Sequence, residues 1–231
     1  MAGAICLQGG REFTPDCVEM DRSVVELTPN GDTVVLAGAA RIGDDYAGAC
    51  RRAAAHYASF GVEAVPVPDP RTDERAALDV LADDIALVIL PGGSPAGLLA
   101  VLADPDSDEL TPVGARVVDL HRAGTVISGA SAGAMVLCEQ TAMPERRLRR
   151  GPSTRPALGL VEGLAIPHWS PEGSTWKVPD DLALWGLPEC GGVIVDQHSV
   201  VAVGEGAPSR RISGRWQPVE RAGRSGRSGP V

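Results

Sequence analysis

Gly129-Ala130-Ser131-Ala132-Gly133 is the stretch of this chain whose residue types and spacing can do chemistry. A serine with a glycine two residues to either side reads as a sharp strand-to-helix turn. The serine backbone is strained there, and a Cβ at either flanking position would meet the neighbouring strand or helix. Its hydroxyl then projects over a helix N-terminus, where free backbone N–H groups stabilise an oxyanion and Ala132 N–H is the first donor. The chemistry on offer is nucleophilic attack on an acyl group; the plainer reading is a tight turn whose serine caps the helix. Serine needs a base, and histidine titrates in the working range. His56 and His121 fall within helical patterns and read as surface or packing residues. His198 falls in Asp196-Gln197-His198-Ser199, a hairpin-like turn, whereas His168 directly follows an apolar run and emerges at a strand end, which favours His168. The base needs an acid to fix its tautomer. Glu172, Asp180, Asp181, Glu189 and Asp196 all follow His168, and spacing does not choose among them. A second oxyanion donor is expected from another strand-end loop, where Gly93 has no Cβ to obstruct approach.

The elements that must position these residues follow from hydrophobic periodicity. Strands are predicted over 4–7, 32–37, 62–67, 85–90 and the run entering Ser131, with helices over 21–27, 44–60, 74–82, 96–103, 110–123 and onward from Ala132. The run 85–90 is apolar without alternation, as a strand covered on both faces should be. Gly61 and Gly124 follow helical stretches as stop signals. Strand and helix alternate from residue 4 to about 143, which predicts an α/β fold: a doubly wound, mostly parallel sheet flanked by helices. Runs at 192–195 and 200–203 add a short C-terminal β-hairpin. Ligands in such sheets sit beyond the C-terminal strand ends. Gln8-Gly9-Gly10, Gly92-Gly93-Ser94 and Gly129-Ala130-Ser131 all fall there, making Gly10, Gly92 and Ser94 candidates for substrate binding.

A chain of 231 residues suits one α/β domain, taken as 1–208. Residues 209–231 are rich in Arg, Gly and Ser and read as a solvated, disordered tail. The net charge of −9 argues against nucleic acid or an anionic membrane as partner. Cys6, Cys17, Cys50, Cys138 and Cys190 are odd in number and lack a C-x-x-C spacing, so neither a zinc site nor a disulfide framework is expected, and a reduced cytoplasm fits. No basic leader or membrane-length apolar run is read, and with no metal-ligand cluster or nucleotide-binding fingerprint, no metal and no cofactor are expected. Arg146, Arg147, Arg149 and Arg150 lie in a basic loop that reads first as a solvated charge run, and otherwise as a cover for the site or a surface for an acidic substrate.

Five blocks in order carry a resemblance that spans roughly residues 4–205: Gly9-Gly10-x-Glu12-Phe13, Pro91-Gly92-Gly93-Ser94, Gly129-Ala130-Ser131-Ala132-Gly133-Ala134, Gly159-Leu160-Val161-x-Gly163-Leu164 leading to Pro167-His168, and Gly186-Leu187-Pro188-Glu189. The chain resembles the serine peptidases typified by aspartyl dipeptidase (peptidase E) and cyanophycinase, whose flavodoxin-like sheet is similar to that of class I glutamine amidotransferases. The resemblance implies Ser131 as nucleophile, His168 as base and Glu189 as acid, with Gly93 and Ala132 N–H groups as the oxyanion hole. It implies cleavage at aspartyl residues in small peptides, with Arg149 and its neighbours the nearest supply of a positive pocket. Around Glu189 the chain departs from the family's usual segment, reading Leu187-Pro188-Glu189-Cys190-Gly191-Gly192. Glutaminases of this fold carry cysteine at the elbow, so Ser131 argues against that activity. The other readings are an esterase or acyl-transfer enzyme using the same serine and histidine, and a non-catalytic binding domain. A small peptide is the expected partner, and a homodimer the candidate assembly.

Overall fold

The computed structural model describes residues 1–143, 153–170 and 182–221. In chain order its elements are β1 (Ile5–Gln8), a 3-10 turn (Pro15–Cys17), α1 (Val18–Val25), β2 (Asp32–Val35), α2 (Asp44–Ala58), β3 (Ala64–Pro66), α3 (Glu74–Val80), β4 (Ile85–Leu90), α4 (Pro95–Leu102), α5 (Pro112–Ala123), β5 (Val126–Ala130) and α6 (Ala132–Leu137). There follow β6 (Cys138–Met143), β7 (Ser153–Pro156), β8 (Val161–Ile166), β9 (Leu184–Gly186), β10 (Gly191–Val195), β11 (Val200–Gly204), β12 (Ser209–Ile212) and β13 (Arg215–Pro218).

All six residues of β4 are buried, because this strand is covered on both faces. It lies inside a seven-stranded sheet of order β11-β10-β1-β5-β4-β2-β3. The five strands from β1 to β3 in that order run parallel, and β10 and β11 extend the β1 edge as an antiparallel hairpin. Strand alternation divides the core. Leu7, Val34, Val88, Leu90 and Ile127 pack with residues of α3, α4, α5 and α6, whereas Cys6, Val35, Leu87, Ile89 and Val126 pack with α1 and α2. Burying each such leucine or valine contributes about 1.5–3 kcal/mol. This is the doubly wound α/β architecture that the periodicity predicts. Helix ends also follow local chemistry: Ser94 and Thr111 hydroxyls cap α4 and α5 ahead of Pro95 and Pro112, and Gly124 at φ 119° closes α5.

Beyond Leu137 the structure departs from expectation. The helix after Ser131 has only six residues, and at Cys138 the backbone turns extended (ψ 171°) into β6. A second, mixed sheet of order β13-β12-β9-β8-β6-β7 follows, in which β8 runs parallel to both β6 and β9. Leu164, Ile166, Leu184 and Trp185 carry it onto the same core as Val136 and Leu137 of α6. Residues 209–218, read from composition as part of a solvated tail, instead form β12 and β13 on its edge. Arg210 explains the difference: its guanidinium stacks 4.5 Å from the Trp185 ring and pairs with Glu162 at 2.7 Å. Arginine composition hid an amphipathic side chain that covers an aromatic one.

Candidate active site

Ser131 stands between β5 and α6 with φ 48° and ψ −107°, the strained turn its flanking glycines require. A Cβ on Gly133 would overlap the Leu90 carbonyl oxygen, and one on Gly129 would come 2.6 Å from the Gly133 carbonyl carbon. The Ser131 N–H donates to Gln8 O at 3.0 Å, which ties the elbow to the end of β1.

The second sheet supplies the remaining groups. His168 follows β8 at φ 52°, its N–H donating to Gly9 O at 2.9 Å. Its ring rests on Gly10, where any Cβ would overlap the imidazole. Glu189 lies in the short link from β9 of the second sheet to β10 of the first, pinned by Cys190 N–H on Gly10 O (3.1 Å) and Gly9 N–H on Gly191 O (2.9 Å). The three side chains form a line: Ser131 Oγ to His168 Nε2 is 3.2 Å, and His168 Nδ1 to Glu189 Oε1 is 3.1 Å. His168 and Glu189 are each about half exposed, at 51% and 49% of their side chains, so water reaches the pair. Arg11 bridges Glu189 Oε2 at 3.9 Å and Asp16 at 3.6 Å, a role that no motif in the sequence signals.

The other sequence candidates separate from this line. His198 lies in the β10–β11 turn, where Asp196 accepts the His198 and Ser199 N–H groups, at the far end of β10 from the Gly192 that faces Gln8. His56 is buried on α2 against Asp21, and His121 is on α5. Glu172, Asp180, Asp181 and Arg149 with its neighbouring arginines fall outside the described residues. Gly93 holds φ 143° against Ala39 O, a conformation reserved for glycine. Ser94 donates its N–H to Ala39 O at 2.8 Å and spends its hydroxyl capping α4, while Gly92 N–H donates to Glu12 Oε1 at 2.8 Å. Ala132 opens α6, and a first-turn N–H has no intrahelical acceptor.

Beneath the site the sequence reading missed a buried cluster. Asp21 takes the His56 ring at 2.7 Å and Gln8 Nε2 at 2.6 Å, and the same Gln8 amide reaches Ser128 Oγ at 3.2 Å. Among the described residues no group of three or more His, Cys, Asp or Glu is placed to hold a metal, and no helix is long and apolar enough to cross a membrane.

The family model of Peptidase family S51 matches residues 6–205. Among solved structures, a peptidase from an acI-B1 Actinobacterium aligns over 96% of this chain and 95% of its own, with TM-score 0.76 and 20% identity. A putative peptidase E protein from Listeria monocytogenes EGD-e aligns over 89% of this chain and 100% of its own, with TM-score 0.62 and 15% identity. At these identities the likeness is one of fold. No curated protein matches the sequence.

Proposed function

This chain belongs to peptidase family S51 and is a peptidase, a hydrolase, and from that membership we propose that it cleaves small or aspartyl-containing peptides through Ser131, His168 and Glu189. The observation that carries the reading is the unbroken line from Ser131 Oγ through both His168 nitrogens to Glu189. His168 Nε2 takes the Ser131 proton as Oγ attacks the scissile carbonyl, and Glu189, accepting from Nδ1–H, holds the tautomer and stabilises the imidazolium. The tetrahedral oxyanion is received by the N–H groups of Ala132 and Gly93. As the intermediate collapses, His168 returns the proton to the leaving amine and an acyl-Ser131 remains. Water, deprotonated by His168, then attacks that ester, and the proton passes back to Ser131 as the acid product leaves. The half-exposed His168 leaves room for this water.

The test is hydrolysis of Asp-X, isoaspartyl-X, Glu-X and Ala-X dipeptides by wild type and by Ser131→Ala and His168→Ala. Loss of the nucleophile or the base is expected to lower kcat by about 10⁴-fold or more. Cleavage confined to Asp-X and lost in both variants supports the reading. Fluorophosphonate labelling of Ser131 without cleavage of any peptide would move the assignment to ester hydrolysis or acyl transfer.

A further inference from the structure

One carboxylate beside the nucleophile takes no part in those steps. Glu12 Oε1 accepts the Gly92 N–H at 2.8 Å. The same oxygen lies 2.7 Å from the point where a Gly92 Cβ would stand, and Ser131 Cβ lies 3.1 Å from that point, so the three groups are mutual neighbours. The loop that presents Glu12 is strained on both sides of it, with Arg11 at φ 58° and Phe13 at φ 64°. Such backbone persists only where its surroundings enforce it. Here Thr14 Oγ1 and Cys17 Sγ both donate to Arg11 O, at 2.9 and 3.3 Å, and Phe13 packs on the His56 and Tyr57 rings.

We propose that Glu12 is a positioning residue for the oxyanion hole: it takes the Gly92 N–H out of the site and fixes the backbone so that the next N–H, that of Gly93, faces the substrate carbonyl. The proposal rests on the serine-peptidase reading. Two glycines in succession can rotate their shared peptide freely, and a rotated peptide would turn a carbonyl toward the developing oxyanion instead of an N–H. The loop is held at both ends, by Glu12 on Gly92 N–H and by Ala39 O on Ser94 N–H, with the Gly93 N–H between them. Because a negative charge beside an oxyanion opposes its formation, the useful property of Glu12 is its accepting oxygen at that reach, not its charge.

Two variants separate these properties. Glu12→Gln keeps an accepting oxygen at the same length and removes the charge, while Glu12→Asp keeps the charge and withdraws the oxygen by one methylene. The rate of fluorophosphonate labelling of Ser131 reports the oxyanion hole without knowledge of the peptide, and dipeptide kinetics report kcat and KM separately. Glu12→Asp is expected to slow labelling and lower kcat about 10²-fold with KM within about twofold, the loss typical of one misplaced oxyanion donor, and Glu12→Gln to retain at least about a third of both rates. A merely structural role would lower the melting temperature of both variants and would not single out kcat. Wild-type rates in Glu12→Asp, or equal damage in the two variants, would overturn the proposal alone. A folded wild type that fluorophosphonate leaves unlabelled at Ser131 would overturn the serine-peptidase reading and this proposal with it.

Discussion

Cys138 is the thiol that follows Ser131 in the chain, and its surroundings remove it from any nucleophilic role. It is fully buried at the start of β6, its Sγ donates to Ala134 O at 3.5 Å, and burial pushes the thiol up to about 12. Burial raises Cys17 to about 12 and Cys50 to about 11, and all five cysteines are buried and free. Since the thiolate is the reactive form, N-ethylmaleimide at pH 7.5 should leave peptidase activity intact in the native protein and add five groups only in denaturant. Intact-mass spectrometry beside an activity assay checks this, and activity lost in step with one native adduct would contradict it. At this scale the sharp turn at Ser131 and the strand-end position of His168 were legible because local sequence announces each placement: flanking glycines in one case, a preceding apolar run in the other. Arg11 and Asp21 were not, because their partners Glu189 and His56 are chosen by tertiary approach and leave no spacing signal.

At the scale of elements, some limits were readable from local chemistry, as with β4 and the Gly124 end of α5, whereas the Thr111 cap sets the start of α5 two residues later than the apolar pattern does. The stop of α6 at Leu137 was not, because no glycine or proline marks it and it is pairing with β7 and β8 that makes Cys138–Met143 a strand. The last turn of α5 carries a pH-dependent consequence. His121 Nδ1 is enclosed without a hydrogen-bond partner among the described residues, and burial, aided by Arg122, lowers its pKa below the usual 6.5. A helix C-terminus would favour the imidazolium, so here desolvation outweighs the dipole. With the folded pKa below the unfolded one, the unfolded state binds more protons between them, and stability falls as pH drops through about 6.5. His121→Gln removes that penalty. The melting temperature of the variant minus that of wild type should therefore rise as pH is lowered from 8 to 5, and a difference constant with pH would refute the assignment.

The whole molecule joins two sheets, and the site stands at the joint: Ser131 rises from the first sheet, His168 from the end of β8, and Glu189 from the link that crosses from β9 to β10. The first sheet was visible as strand-helix alternation, whereas the second is built from runs of three to six residues scattered over 138–218 and paired non-locally, which no periodicity reports. Its C-terminal edge braces both arms that come from it. β12 pairs with β9, whose Trp185 is 1% exposed beneath Arg210, and Trp216 of β13 stacks 5.1 Å from Trp169, the residue after His168. Trp169 in turn packs on Gly186, where a Cβ would come 2.6 Å from the indole. Removing the stack by Trp216→Ala is expected to cost about 1–2 kcal/mol in urea unfolding, since the ring is partly exposed and an aromatic pair adds about 0.5–1.5 kcal/mol to area burial. Truncation after Pro208 is expected to cost more, because it uncovers Trp185 and frees the edge of a three-residue strand that leads to Glu189. If the brace is real, the truncated chain also labels more slowly at Ser131 than Trp216→Ala does; a truncated chain with wild-type stability and labelling would show that the two sheets hold His168 and Glu189 without their C-terminal edge.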